Sequence, residues 1–311
     1  MSSVKAYIIK DLELPPDLEM KNQYVFKRQR ILSYNIKSLK IKEHLEVDEK
    51  LILIRPCDAI ALEYIDKVML EEPADPQYKI LREQGIFAVV NCLKSCDGGF
   101  CLSTGGSLLN NGLGDLELTP LADKEYFIEI LTEKGEKYIQ KLGLKEAPKG
   151  LGEKVEKMKE EAMKNPDQEI IVIPTPEQIR NIPMEEWEKI ASGCLGCGFC
   201  NYSCPTCTCF TEAHVKKDGN NFSKIRVWDA CILESFNLMA GGHTLMPNRS
   251  RRFQRRYSHK FENIPEQYGV LGCVGCGRCY KLCPAHFDIK KILSYLAKKG
   301  AEVKSPVIAN Q

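Results

Sequence analysis

Two segments of the chain share one arrangement of cysteines. In each segment three cysteines stand at every third position, and a fourth follows four residues later, directly before proline. The first segment contains Cys194, Cys197, Cys200 and Cys204, and the second contains Cys273, Cys276, Cys279 and Cys283. Thiolates this close together in a sequence predict a site for soft transition metals.

The spacing matches that of bacterial ferredoxin loops. In those loops three closely spaced thiolates bind one cubane cluster, and the thiolate before the proline binds the other. We therefore predict two [4Fe–4S] clusters with exchanged fourth ligands. The first cluster is assigned to Cys194, Cys197, Cys200 and Cys283, and the second to Cys273, Cys276, Cys279 and Cys204. Glycines between the cysteines suit a backbone wrapped round a cluster, because no Cβ intrudes and amides can reach the sulfurs.

Zinc and disulfides are the alternatives for these eight cysteines. Cys-x2-Cys also begins zinc ribbons, but zinc usually takes its four ligands as two pairs. Here three evenly spaced cysteines and a Cys-Pro occur twice, and the two halves complete each other. A disulfide framework is disfavoured, because no secretion signal precedes these 15 cysteines. A reducing, anaerobic cytoplasm is the expected location.

Four more cysteines belong to the N-terminal part of the chain and follow predicted strands. They are Cys57, Cys92, Cys96 and Cys101. Gathered at one edge of a sheet, they would hold a third [4Fe–4S] cluster or a zinc ion. Buried structural cysteine is the alternative, and the sequence leaves this choice open.

Three cysteines remain after these assignments: Cys207, Cys209 and Cys231. His243 is the nearest candidate in sequence for a fourth ligand. The alternative is that the three sulfurs pack against the predicted clusters.

The elements that position these residues divide the chain into three parts. Residues 1–145 alternate between strands and helices, which predicts βαβ units and a partly parallel sheet. Residues 146–182 are a charged, proline-rich connector with a solvent-exposed helix over 153–164. Residues 183–311 hold both cysteine runs, separated by a long insertion. The expected fold class is α+β, with an N-terminal α/β domain before a ferredoxin-like dicluster domain.

Apolar patterns give the bounds of the predicted elements. Strands are expected at 50–54, 86–91, 116–119 and 126–130, and helices at 59–69, 76–84, 132–142, 183–192 and 289–299. Asp58 is the expected cap of the helix over 59–69.

Composition excludes several classes of protein. With 311 residues, 43% hydrophobic and 28% charged, the chain is an ordinary globular protein long enough for two domains. No apolar run reaches the roughly 18 residues of a membrane span. Its glycine-rich turns lack the strand–GxGxxG–helix context and a Walker lysine, so we expect no NAD or flavin site in this chain.

Five arginines fall within eight residues of the insertion: Arg249, Arg251, Arg252, Arg255 and Arg256. Phe253 and Tyr257 are interleaved with them. Nucleic-acid binding is one interpretation, but a formal net charge of only +2 argues against it. Docking against another subunit or an acidic electron carrier is favoured.

Several motifs resemble one family of iron–sulfur proteins, over roughly residues 50 to 295. They are Arg55-Pro56-Cys57-Asp58, Asn91-Cys92, Phe100-Cys101, the run from Cys204 to Phe210, the run from Arg226 to Cys231, Ala240-Gly241-Gly242-His243 and the run from Gly272 to Cys279. The chain resembles the beta subunits of cytosolic NiFe hydrogenases (sulfhydrogenases) and, equally, the corresponding iron–sulfur protein of anaerobic sulfite reductase. Relatives have Cys-Phe-Cys where this chain has Gly99-Phe100-Cys101, and Cys96 is the candidate substitute.

The resemblance implies an electron-transfer subunit without substrate chemistry of its own. Such a protein lies beside a flavin- and NAD(P)-binding subunit, and it exchanges electrons with a catalytic subunit of hydrogenase or sulfite/sulfur reductase type. One alternative is an enzyme in which Cys207, Cys209 and Cys231 hold a cluster that acts on a sulfur compound. Another is a zinc-dependent nucleic-acid module.

Overall fold

The computed structural model describes residues 6–45, 50–164 and 166–302. The strands in these ranges are β1 Ala6–Ile9, β2 Arg28–Asn35, β3 Ile41–Glu43, β4 Leu51–Ile54, β5 Ile86–Val90, β6 Leu116–Ala122, β7 Glu125–Ile130, β8 Phe210–Asp218 and β9 Asn221–Trp228. The α-helices are α1 Asp17–Met20, α2 Pro56–Met69, α3 Pro76–Gln84, α4 Glu133–Leu142, α5 Leu151–Lys164, α6 Pro176–Arg180, α7 Met184–Ala191, α8 Phe199–Tyr202, α9 Arg249–Ser258, α10 Ile264–Tyr268, α11 Arg278–Lys281 and α12 Ile289–Glu302.

The first sheet has the order β1-β7-β6-β5-β4. Strands β4, β5 and β6 run parallel, whereas β7 pairs antiparallel with both β6 and β1. All five residues of β5 are buried, as expected for a strand covered on both faces. The partly parallel sheet predicted for the N-terminal part is therefore present.

Helix α2 begins earlier than the sequence analysis predicted. Pro56 occupies its first turn, and the carboxylate of Asp58 accepts a hydrogen bond from the backbone amide of Arg55 at 3.3 Å. Asp58 is thus the third helical residue of a capping box rather than the residue before the helix.

A second sheet, with the order β3-β2-β9-β8, was not predicted. All its pairs are antiparallel, and β2 from the N-terminal part lies against β9 from the long insertion. Its strands are largely polar and mostly exposed or only partly buried, so they lack the apolar runs that reveal buried strands. Because of this sheet, the two predicted domains share backbone hydrogen bonds.

The cysteine runs pack on a helical core built from α6, α7, α9 and α12. Trp187, Phe253, Tyr257, Phe261 and Leu293 are buried in it. Helix α9 continues through a π-helical turn, His259–Asn263, into α10. Pro265, in the first turn of α10, has no amide for a normal helical bond, which favours the wider turn.

Helix α5 packs on the first sheet, contrary to the prediction of a solvent-exposed helix. Val155 is fully buried, and Lys159 is 9% exposed. The ammonium of Lys159 lies 2.7 Å from a carboxylate oxygen of Glu117 and also pairs with Glu129.

Among the described helices, none is long and apolar enough to cross a membrane.

Candidate metal centres

The two cysteine loops have the same local fold. Each ends in one helical turn, α8 or α11, which carries the third cysteine of its run. The glycine before each turn, Gly198 or Gly277, has a left-handed backbone, with φ of 81° or 73°. Side chains with a Cβ rarely adopt this conformation. The amide of Gly196 donates to Sγ of Cys194 at 3.4 Å, the kind of contact that supports a metal-bound sulfur.

The first set of four thiols lines one cavity. Its walls carry Cys194, Cys197, Cys200 and Cys283, although Cys283 belongs to the second run. Burial raises the pKa of Cys194, and the adjacent Cys197 and Cys283 thiols raise it further. The amide of Phe287 donates to Sγ of Cys283 at 3.4 Å. The structure therefore brings the last cysteine of one run to the first three of the other.

The second set is the reciprocal arrangement. Burial raises the pKa of Cys273, Cys276 and Cys279, to about 12 at Cys279, and the neighbouring Cys204 thiol raises each one further. Cys204 is buried, and its sulfur lies 3.2 Å from the hydroxyl oxygen of Thr206. Cys204 therefore lies near the first three thiols of the second run, and it also raises the pKa of Cys200 in its own run.

Arg256 lies between the two sets. It is buried and donates to the backbone carbonyl of Cys200 at 3.1 Å. Burial lowers the pKa of its guanidinium, but thiols of both sets, led by Cys200 and Cys279, raise it well above its ordinary value. Its Nε has no hydrogen-bond partner among the described residues. Buried donors without a partner are rare, and the sulfurs of an anionic cluster would satisfy this one. The residues present therefore fit the predicted clusters.

Lys260 adds a second buried positive charge beside the second set. Its ammonium donates to Oγ1 of Thr206 at 2.7 Å and to the carbonyl of Gly272 at 2.9 Å. Burial lowers its pKa, but the thiols of Cys204 and Cys207 outweigh this effect and raise it. No sequence pattern indicates Lys260 as a site residue, because a lone lysine belongs to no motif.

The four N-terminal cysteines also come together. Cys57 stands in the first turn of α2, and Cys92, Cys96 and Cys101 follow β5. The thiols of Cys92 and Cys96 hydrogen-bond to each other. Burial raises the pKa of Cys57, and the nearby Cys96 and Cys101 thiols contribute to the increase. This third set lies at the carboxyl edge of the parallel strands, where the sequence analysis expected it.

Two polar side chains donate to sulfurs of the third set. Nη1 of Arg55 lies 3.1 Å from Sγ of Cys96, and Nε2 of Gln168 lies 3.2 Å from Sγ of Cys101. Donors of this kind orient metal-bound thiolates and stabilise their charge. Gln168 comes from the predicted connector, which therefore contributes to the site.

The third set is in contact with the second. Cys57 and Cys276 pack in one apolar cluster with Val274. The amide of Phe100 donates to the carbonyl of Gly275 at 2.7 Å, so the loop of the third set is bonded to the loop of the second.

Cys207, Cys209 and Cys231 lie near one another, and all three are at least partly buried. Cys207 and Cys209 also lie near Lys21, as does Cys204 of the second set. His243, the predicted fourth ligand, is exposed on a loop after β9. No three His, Cys, Asp or Glu side chains in residues 6–45, 50–164 and 166–302 are arranged to hold a single metal ion.

Only part of the arginine segment is exposed and therefore available for the docking that the sequence suggested. Phe253 and Tyr257, the aromatic residues interleaved with the arginines, are buried in the helical core. Arg252 is also buried and donates to the carbonyl oxygens of Ile232, Met246 and Pro247. The segment forms helix α9, so its residues alternate between the core and the solvent. The arginines that remain exposed are Arg249, Arg251 and Arg255.

Comparison with known proteins agrees with this geometry. Residues 193–287 match the family model of the 4Fe–4S dicluster domain, and this range includes both cysteine runs. Over 278 residues the chain is 29% identical to sulfhydrogenase 2 subunit beta of Pyrococcus furiosus, covering 86% of this chain and 80% of the relative. No solved structure matches the chain.

The cysteine loops and the family match define an iron–sulfur protein with a 4Fe–4S dicluster domain in its C-terminal region. Over most of its length the chain is similar to the beta subunit of the Pyrococcus furiosus sulfhydrogenase. The family resemblance stated from its motifs is confirmed.

Proposed function

We propose that the chain is the iron–sulfur electron-transfer subunit of a cytoplasmic sulfhydrogenase-type complex. In this role it relays electrons between two partner subunits, one flavin- and NAD(P)-binding and the other catalytic. Clusters held by four thiolates supply one-electron transfer, whereas the protein sets their position and potential. The observation that supports the proposal best is that Cys283 lines one cavity with Cys194, Cys197 and Cys200, while Cys204 lies beside the thiols of the second run.

The proposed ligands form three groups. The first cluster is held by Cys194, Cys197, Cys200 and Cys283, the second by Cys273, Cys276, Cys279 and Cys204, and the third by Cys57, Cys92, Cys96 and Cys101. The third group supports a cluster rather than structural thiols because Arg55 and Gln168 donate to two of its sulfurs.

The proposed order of the relay follows the contacts between the sets. Arg256 lies between the first set and the second, and the Phe100–Gly275 hydrogen bond joins the second to the third. An electron that enters at one end therefore reaches the other through the second cluster. We expect the partner subunits to dock near the outer two sets.

Iron and acid-labile sulfide content of the anaerobically purified full chain tests the proposal. Three clusters require about twelve irons and two require about eight. Cys101→Ala should lower the iron content by about four and leave the dicluster signals unchanged, because Cys101 lies outside both ferredoxin runs. A protein that contains only zinc and no sulfide would refute the proposed function.

The exchanged ligands have their own test. Cys204→Ala should damage the second cluster, and Cys283→Ala, the matched variant, should damage the first. Loss of a thiolate leaves one iron open, so a three-iron species or cluster loss is expected in electron paramagnetic resonance. If each variant damages the cluster of its own run instead, the assignment is wrong.

A further inference from the structure

A pair of thiols lies outside the three proposed cluster sites, at the base of the second sheet. Cys209 directly precedes β8 and Cys231 follows β9, and these strands form one hairpin. The amide of Asp229 donates to the carbonyl of Cys209 at 3.0 Å, which holds the two ends of the hairpin together. The thiols of Cys209 and Cys231 hydrogen-bond to each other.

The surroundings distinguish the two sulfurs. Nδ2 of Asn201, a buried side chain, donates to Sγ of Cys231 at 3.1 Å. The hydrogen bond from Cys209 lowers the pKa of Cys231, and the same bond raises the pKa of Cys209. Because the Asn201 amide donates to its sulfur, Cys231 is the better thiolate of the two. This asymmetry suits a dithiol that interconverts with a disulfide.

Lys21 is a buried cation beside Cys209. It is 2% exposed, and its ammonium lies 3.4 Å from the carbonyl of Asn201 and 4.6 Å from the ring centroid of Trp228. Neither partner carries a negative charge, and a buried ammonium is costly without one. Burial lowers the pKa of this ammonium, and the thiols of Cys207, Cys204 and Cys209 oppose the decrease.

We propose that Cys209 and Cys231 are a redox-active dithiol that is oxidised reversibly to a disulfide. The thiolate sulfur of Cys231 forms a bond to the sulfur of Cys209, and the thiol proton of Cys209 leaves to solvent through its partly exposed side. Two electrons are released, and two oxidised [4Fe–4S] clusters accept one each. Reduction of the disulfide is the reverse, with one proton taken up.

The pair lies one side chain away from a proposed ligand of each dicluster site. Asn201, which donates to Cys231, has its Oδ1 3.4 Å from Sγ of Cys200. Cys207, whose thiol raises the pKa of Cys231, hydrogen-bonds to Cys204. A hydride donor such as NAD(P)H gives two electrons, whereas each cluster accepts one. Resting in this respect on the proposed function, the dithiol acts as a two-electron store beside a one-electron relay.

The pair is tested in the full chain by thiol trapping. Protein poised anaerobically at a series of potentials is quenched in acid, alkylated with a maleimide and digested for mass spectrometry. At high potential Cys209 and Cys231 should lose reactivity together and appear in one cross-linked peptide pair, which separates on reduction. Reductive titration should consume two more electrons in the wild type than in Cys209→Ser.

Two variants serve as controls. Cys231→Ser should leave Cys209 alkylated at every potential, whereas Cys207→Ser should still form the cross-linked pair. The iron and sulfide content of each sample shows separately whether the clusters are present.

Three outcomes would overturn the dithiol. They are alkylation of both cysteines at every potential, a cross-link to a different cysteine, and iron loss in Cys231→Ser that identifies its sulfur as a metal ligand. Failure of the proposed function looks different: the cross-linked pair forms, but the protein contains no iron or sulfide.

Discussion

Asp58 and Arg278 form a buried bidentate ion pair between α2 and α11. Nη1 and Nη2 of Arg278 donate to the two carboxylate oxygens, each at 2.6 Å, and the hydroxyl of Tyr24 donates to Oδ1 at 2.9 Å. Asp58 is 0% exposed and Arg278 is 3% exposed. Since Asp58 follows Cys57 and Arg278 precedes Cys279, the pair fixes the third cysteine set against the second.

Removal of one partner should therefore destabilise the whole cysteine region. Asp58→Ala leaves a buried guanidinium without its carboxylate, at a cost of about 3–5 kcal/mol. We expect a lower unfolding temperature by circular dichroism, with loss of cluster absorption at the same temperature. Tyr24→Phe removes one hydrogen bond to the same carboxylate and should cost about 1 kcal/mol. Adding Arg278→Met to Asp58→Ala should restore part of the lost stability, because the buried guanidinium is then no longer present.

An unfolding temperature for Asp58→Ala equal to that of the wild type would contradict this view. The ion pair would then add nothing to the contact between the two sets.

The sequence was sufficient for the elements that have strong local signals. Residues 76–84 were predicted as a helix, and the structure has α3 with the same bounds, because Asp75 caps it and Gly85 follows it. Strands β4 and β5 were found within one residue of their observed bounds, since continuous apolar runs identify strands buried on both faces.

The remaining features depend on long-range contacts. The second sheet pairs β2 with β9, and no local pattern in polar strands reveals a partner about 190 residues away. The arginines of α9 share one residue type, so composition could not separate buried Arg256 from exposed Arg255. Lys21 and Asn201 lie beside the Cys209–Cys231 pair only because of tertiary packing, and no sequence pattern indicates them.

Arg256 should set the reduction potentials of both dicluster sites. A buried positive charge stabilises the reduced, more negative state of a cluster, so Arg256→Met should lower the potentials of the first and second clusters. For an effective dielectric of about 20, the expected shift is on the order of 50–100 mV. Redox titration followed by electron paramagnetic resonance measures it.

The neighbouring arginine provides the control. Arg255→Met removes the same charge from the exposed side of α9, where solvent and salt screen it, and should shift both potentials much less. Arg256→Lys keeps the charge and should retain most of the wild-type potentials. Equal shifts in Arg255→Met and Arg256→Met would exclude a specific role for Arg256.

Lys159 should hold α5 on the first sheet. Burial alone would lower the pKa of this ammonium, but hydrogen bonds to Glu117 and Glu129 outweigh it and raise the pKa. Lys159→Met leaves these carboxylates without their cation and should destabilise the protein by about 2–3 kcal/mol. Lys157→Met, on the exposed side of the same helix, should leave the unfolding temperature unchanged. Similar unfolding temperatures for both variants would show that Lys159 does not hold α5 on the sheet, as expected for the solvent-exposed helix that the sequence predicted.

The exposed arginines of α9 should contribute to subunit docking without supporting the fold. Arg251→Glu with Arg255→Glu reverses two exposed charges and should release the chain from partner subunits produced with it. Size-exclusion chromatography of the co-purified complex measures assembly, and iron content should stay at the wild-type value because neither side chain is buried.

Lys154→Glu with Lys157→Glu makes the same change of charge on α5 and should leave assembly intact. In contrast, Arg252→Glu should lower the yield of folded protein, because the buried guanidinium donates to three backbone carbonyls. If the α9 and α5 reversals weaken assembly equally, general charge rather than a docking surface is responsible.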